Sequence, residues 1–338
     1  MPDTQAKTYN PAIDLLRLIS ILAVILIHTT TKAFQATAND LYHLPWTLFL
    51  NQASRFTVPL FFMISGFVLE LNYSHHANYW EYLKKRLSRI FIPYVFWSIV
   101  YFYFVYSQLN NNFFISLVSG TASYQLYFIP SLLIFYFIFP LLHRLYHFFT
   151  NRWMLIILGI IELLFLYQDY YLLPTNTFYP IKVAFFNYYV FIVGMVLSHH
   201  QEQLLNFVKK FLWLLILITL TLAYFIFYQG ERLYYQTGNY LFFYSNWRPL
   251  ILPYTFSFAA ILYYLFTKIK LNLALVKTIS RLSFLVFFIH IIVLETIWPL
   301  ATFSQFWPNL TFFFLTSSVS FILAYLIHKI PYLSKLTG

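Results

Sequence analysis

Ten apolar runs, each about as long as a membrane-crossing helix of roughly 20 residues, punctuate the chain. They fall near 12–31, 53–72, 91–109, 124–142, 153–171, 182–198, 211–229, 247–267, 282–300 and 309–328. Each run is continuous rather than alternating, which predicts helices and argues against a membrane β-barrel. Pro130, Pro140, Pro249 and Pro253 interrupt several runs; membrane helices tolerate such breaks where neighbours satisfy the freed backbone groups. The connecting stretches are short, and the longest, 32–52 and 230–246, lack the apolar content of a folded domain. The pattern predicts an all-α, polytopic membrane protein of about ten transmembrane helices. Residues 1–338 read as a single membrane domain with no soluble appendage.

Composition narrows this further. Residues of the hydrophobic types make up 61% of the chain and charged ones 9%, whereas an ordinary soluble domain is about 25% charged. The absence of cysteine excludes disulfides, a thiol nucleophile and thiolate metal sites. A net charge of +11 raises the question of nucleic acid, but the cations lie in short clusters between apolar runs. With the N-terminus in the cytoplasm, only Lys32, Arg55, Lys182, Arg232 and Arg248 of the 21 lysines and arginines fall on the far side. That asymmetry predicts an even number of spans with both termini cytoplasmic, and a lipid bilayer rather than nucleic acid as partner. Lys7 alone precedes the first run and no small-residue cleavage pattern follows it, so it reads as a retained span.

Three stretches carry ionisable groups that the pattern alone does not call for. The first, I-D-L-L-R-L-I-S-I-L-A-V-I-L-I-H from Ile13 to His28, places Asp14, Arg17 and His28 within roughly 60° of one another on a helix. Ionisable groups at membrane depth cost about 2.5–3.5 kcal/mol each on insertion scales, so they face a protein interior or a wet cavity and mark a working site. Asp14 is spaced to orient Arg17 through an i, i+3 contact. The second stretch runs from Arg55 to Glu70 and contains Ser65-Gly66, which serves either close helix packing or a site. Glu70 either reaches the interface or pairs with the basic loop that follows. In that loop, Lys84 to Arg89, the arginines Arg86 and Arg89 are three apart. Two guanidinium forks side by side suit phosphate oxygens, or anchor the chain to anionic lipid. Arg17, Arg86 and Arg89 would then sit about 16 Å from His28 along the helix axis, a separation comparable with an extended pantetheine arm.

Weaker signals lie downstream. Tyr124 to Pro130, the opening of the fourth run, lines a sugar site with its aromatic hydroxyls or forms an interfacial belt. Glu162 is an acceptor-site or a structural carboxylate, and His290 a packing or a second site histidine. His290 and Glu295 lie about 140° apart on a helix and form no local pair. His75-His76 and His199-His200 lack the spacing and partners of a zinc site, so no metal is expected. There is no Gly-rich phosphate loop and no G-x-S-x-G elbow.

Taken together, these segments resemble the acyltransferase-3 family of integral-membrane O-acyltransferases that modify bacterial surface polysaccharides and related glycans. The likeness is carried by Arg17 followed by ten residues and His28, with Asp14 ahead. It continues through Val58-Pro59-Leu60-Phe61-Phe62 into Ser65-Gly66-Phe67, Arg86-x-x-Arg89 before Pro93-Tyr94, and Ser280-x-x-Ser283-Phe284 approaching His290. The pieces occur in family order over nearly the whole chain. One departure is Asn10-Pro11, where many members carry a basic residue. The resemblance implies an acyl-CoA donor, in its simplest form acetyl-CoA. It also implies an essential histidine at His28, and donor-binding or architectural arginines at Arg17, Arg86 and Arg89. Some relatives carry a fused extracytoplasmic hydrolase-like domain; this chain resembles members that act within the membrane domain.

The expected function is transfer of an acetyl or similar acyl group from CoA to a hydroxyl of a cell-surface polysaccharide or lipid-linked glycan at a bacterial plasma membrane. A glycan synthase or export complex is the expected company. In this reading His28, Asp14 and Arg17 form the catalytic set, Arg17, Arg86 and Arg89 hold the donor, and Tyr127, Glu162 and His290 meet the carbohydrate acceptor. The rival is a polysaccharide exporter or flippase-like transporter using the same polar interior, and consumption of acyl-CoA separates the two.

Overall fold

The computed structural model describes residues 10–36, 44–73, 78–108, 110–172, 178–237, 247–269, 272–300 and 308–337, which contain helices and no strand. Every one of the ten apolar runs carries helix. α1 is Pro11–Ala36, α2 Leu44–Ala53, α3 Thr57–Leu71 and α4 Tyr79–Ile99, prolonged by a π-helical stretch over Val100–Val105. They are followed by α5 Phe113–Ser119, α6 Phe128–Arg144, α7 Tyr146–Phe149, α8 Arg152–Tyr167, α9 Tyr179–Phe185 and α10 Tyr188–His199. The remainder is α11 Gln201–Thr237, α12 Ile251–Lys268, α13 Leu273–Ile297, α14 Pro308–His328 and α15 Pro331–Thr337. Among the described residues seven helices are long and apolar enough to cross a membrane, and α9 with α10, bent by 46°, makes an eighth if the pair is one span. The protein is an all-helical, multi-pass membrane protein.

Local chemistry sets several boundaries. Asn78, Asn112, Asn151 and Asn272 each cap a helix start, their side-chain oxygens accepting a backbone N–H of the first turn. The helix that Asn78 opens begins well before the apolar run at 91–109. The basic stretch Lys84 to Arg89, expected as a loop, is therefore the opening of α4. An amphipathic start followed by an apolar continuation gives one helix two environments.

α1 is central: it packs against α2, α3, α12, α13 and α14. α8 and α11 belong to the least buried of the candidate spans and leave many Leu, Ile and Phe side chains exposed, as lipid-facing helices do. The closest helix pair is α3 with α10. A Cβ on Gly66 would collide with the carbonyl of Phe191, and one on Gly194 with the carbonyl of Met63, so each helix supplies the glycine that the other's backbone needs. Gly66 thus serves packing, while its neighbour Ser65 lines a cavity.

Glu70 joins neither the interface nor the basic stretch. Its side chain is 5% exposed, with Nδ1 of His143 at 3.0 Å and Nε2 of His199 at 3.6 Å from the carboxylate. The ends of α3, α6 and α10 meet there, which a reading of α3 alone does not reveal. His75 and His76 lie outside the described residues.

Candidate functional site

The polar residues of α1 open into two separate cavities of about 390 Å³ each, one toward each end of the helix. Arg17, Arg86, Arg89 and Arg281 line the first, together with Ser65, Ser280 and Tyr136. α1, α4 and α13 converge there. Asp14 accepts a hydrogen bond from Arg17 at 3.0 Å and another from the Ser280 hydroxyl at 2.8 Å on the same oxygen. One carboxylate therefore ties α1 to α13 and holds one of the guanidiniums. Four guanidiniums round one cavity give it the charge and the donor groups that suit an anion.

His28 lines the second cavity with Thr31, Lys32, Arg55, Tyr124, Tyr127 and Glu295. Its ring lies 4.9 Å from that of Tyr124 and 5.3 Å from that of His290, centroid to centroid. Lys32 and Glu295 form an ion pair at 2.7 Å across α1 and α13. The Arg55 guanidinium donates to Asn51, whose amide in turn donates to the Thr30 hydroxyl at 2.9 Å and the Ile27 carbonyl at 3.2 Å. That chain fixes a cation beside the imidazole.

Phe61, Phe128 and Phe287 belong to the walls of both cavities. Phe61 and Phe128 lie 5.8 Å apart between centroids, as do Phe128 and Phe287. The arginine chamber and the imidazole chamber therefore meet at a throat of three phenyl rings. On its other side the imidazole chamber shares Tyr124, Tyr127 and Tyr179 with a third cavity of about 420 Å³. That cavity adds Tyr106, Gln108, Thr121 and Ser123. Arg86 and Arg89 lie within α4 and Tyr106 just past its π-helical prolongation, so the outer two cavities are separated along that helix.

The structure thus brings Arg17, Arg86 and Arg89 together in one chamber, and His28 with Tyr127 in another. Asp14 and Arg17, grouped with His28 by helix periodicity, sit on the far side of the phenyl throat from it. His290 is fully buried beside His28 and is not part of the chamber wall. Glu162 joins neither chamber: it is buried on α8 beside Tyr188 and Tyr189 of α10, and both its oxygens lack a hydrogen-bond partner among the described residues. α8 is peripheral, so a carboxylate pointing inward from it meets α10 first. Arg281, Lys32 and Arg55 are site residues that sequence reasoning missed. For Arg281 a signal was present, because it falls inside the Ser280-x-x-Ser283 motif.

A family model described as an acyltransferase domain, that of the acyltransferase-3 family, matches residues 10–329. The chain belongs to the acyltransferase-3 family. Relatives from Staphylococcus aureus strains MSSA476 and MW2 are 24% identical over 327 residues, covering 91% of this chain and 88% of theirs. Each is named a probable poly-beta-1,6-N-acetyl-D-glucosamine export protein. The protein of that name from strain MRSA252 is 24% identical over 284 residues, 79% of this chain and 76% of its own. No solved structure matches. The short segments of α1, α3 and α4 that carried the resemblance supply walls of the two chambers.

Proposed function

We propose that this protein is a bacterial plasma-membrane O-acyltransferase that moves an acetyl or similar acyl group from acyl-CoA to a hydroxyl of a surface polysaccharide or lipid-linked glycan. The supporting observation is the throat: an anion-binding chamber and an imidazole chamber share Phe61, Phe128 and Phe287. Nucleotide phosphates rest on Arg17, Arg86, Arg89 and Arg281, and the pantetheine arm passes between the rings to bring its thioester to His28. His28 takes the proton of the acceptor hydroxyl as that oxygen attacks the thioester carbonyl. The carbon–sulfur bond then breaks and the departing thiolate takes the proton back from the imidazolium. Arg55 and Lys32 supply positive charge in the chamber where the carbonyl oxygen becomes negative. The acceptor enters past Tyr124, Tyr127 and Tyr179, whose rings and hydroxyls suit the two kinds of surface a sugar presents. Ten spans, both termini cytoplasmic and the arginine chamber facing the cytoplasm complete this reading, as the distribution of cations favours.

Replacing His28 by Ala abolishes donor-dependent acylation of the glycan in cells while the protein still inserts in the membrane. Turnover retained by that variant refutes the assignment. The name shared by the relatives favours a second reading, glycan export through the same series of cavities. Purified protein in lipid nanodiscs decides between them: release of free CoA that depends on acceptor identifies the transferase, whereas glycan movement without donor consumption identifies the exporter.

A further inference from the structure

An imidazole acts as a base only through the nitrogen that carries no proton, so the tautomer of His28 matters. His28 makes no hydrogen bond with any described residue; its neighbours are the rings of Tyr124 and His290. His290 stands differently. Its Nδ1 lies 3.0 Å from the carbonyl oxygen of Val286, one turn back on α13. A carbonyl oxygen accepts and does not donate, so the proton of neutral His290 is on Nδ1 and its Nε2 carries a lone pair. That Nε2 is buried and has no hydrogen-bond partner among the described residues, on a residue with 0% exposure. An unmet acceptor thus sits in the ring next to an imidazole whose own N–H is unclaimed, with centroids 5.3 Å apart.

We infer that His290 is the positioning residue for His28: a small shift of the two neighbouring rings lets its Nε2 accept the N–H of His28, which leaves the other nitrogen of His28 free toward the chamber. The inference rests on the reading of His28 as the base. It gives α13 a continuous role, because Ser280, Phe287 and His290 recur on one helical face. Ser280 holds Asp14, Phe287 belongs to the throat and His290 holds His28. A partner of this kind orients the ring as a carboxylate does in a hydrolytic triad. Being neutral, it does not compete for Lys32 and Arg55.

The test uses His290→Gln, whose amide reaches the place of Nε2, His290→Asn, which reaches only that of Nδ1, and His290→Leu, which offers no acceptor. In nanodiscs with acetyl-CoA and the isolated surface glycan, the Leu and Asn variants lose about 10–100-fold in kcat. The Gln variant regains most of it, and the donor KM stays within about twofold throughout. Equal activity of the Gln and Asn variants overturns the inference, as does a loss confined to KM. A second readout needs no turnover: 15N-histidine spectra, with His28 assigned by its loss in His28→Gln, show one neutral tautomer in the wild type and a mixture in His290→Leu. Two tautomers in the wild type overturn the inference outright. A single tautomer in a wild type that transfers no acyl group upholds it and defeats the transferase reading instead.

Discussion

Enlarging one ring of the throat separates donor binding from donor use. Phe61 is the suitable position: it is half-buried, lines both chambers and, among the described residues, makes one ring contact, with Phe128 at 5.8 Å. Phe128, by contrast, also packs on Phe62 at 5.0 Å. Centroids 5.8 Å apart put Phe128 in contact with both other rings, so on the proposed route a thioester arm parts aromatic contacts worth about 0.5–1.5 kcal/mol each. Phe61→Trp puts a larger ring system at the constriction between the two cavities, raising the opening cost by a further ~1–3 kcal/mol. That corresponds to a fall in kcat of about 5–150-fold, at roughly 1.4 kcal/mol per factor of ten. The phosphates stay on the arginines, so the inhibition constant of free CoA moves by less than about twofold. The assay is thiol release from acetyl-CoA in nanodiscs with acceptor present, alongside CoA inhibition measured on the same preparation. Phe61→Leu, smaller than the native ring, is the control and keeps kcat. Unchanged kcat in Phe61→Trp refutes the route through the throat. Matched losses in kcat and CoA affinity refute the separation of binding from passage.

Arg281→Ala weakens CoA binding about 3–10-fold, since the guanidinium is exposed at the rim and a charged hydrogen bond there is worth less than the roughly 1.5–3 kcal/mol of a sheltered one. Titration with CoA at low and high salt measures this, and an affinity identical to wild type at low salt removes Arg281 from the donor site. Gly194→Ala forces a methyl against the Met63 carbonyl and costs about 1–3 kcal/mol of stability. Its melting temperature drops while the donor KM holds; a wild-type melting curve contradicts the glycine seam between α3 and α10.

Much of this architecture is legible in the sequence. Continuous apolar runs locate the helices, because a bilayer leaves a chain few other ways to satisfy its backbone. The spacing of Asp14 and Arg17 locates their contact, because three residues is nearly one turn. What periodicity cannot supply is the neighbour on the other side. It groups His28 with Arg17 since both lie on one face of α1, yet three phenyl rings from α3, α6 and α13 stand between their chambers. It leaves Glu295 without a partner, and the partner is Lys32, 263 positions away. It makes Lys84 to Arg89 a loop because charge breaks the apolar run, although the capping Asn78 already marks a helix start.

The cations outside the main cluster bear on how the site meets its substrates. Counted as far-side loop charges, Lys32, Arg55, Lys182 and Arg248 dilute the asymmetry; in the fold all four turn inward. Lys182 pairs with Asp169 at 2.9 Å, and Arg248, with 0% exposure, donates to the Ile226 carbonyl at 3.0 Å and to Gln52. Burying them is tolerable because each meets an acceptor, the condition for any charge removed from water. Four of the five far-side cations are therefore withdrawn from the surface, and Arg232 alone of the five stays exposed, which sharpens the asymmetry beyond the sequence count. The cavity at the tyrosine end is lined by hydroxyls and, among the described residues, by no lysine or arginine. An anionic nucleotide is drawn to the arginine chamber by long-range attraction. At the tyrosine end, an uncharged sugar chain loses nothing by the absence of such a field. The two outer cavities are thus matched to the two substrates that the proposed reaction joins, and the salt sensitivity of turnover should reside in the donor KM and not in the acceptor KM.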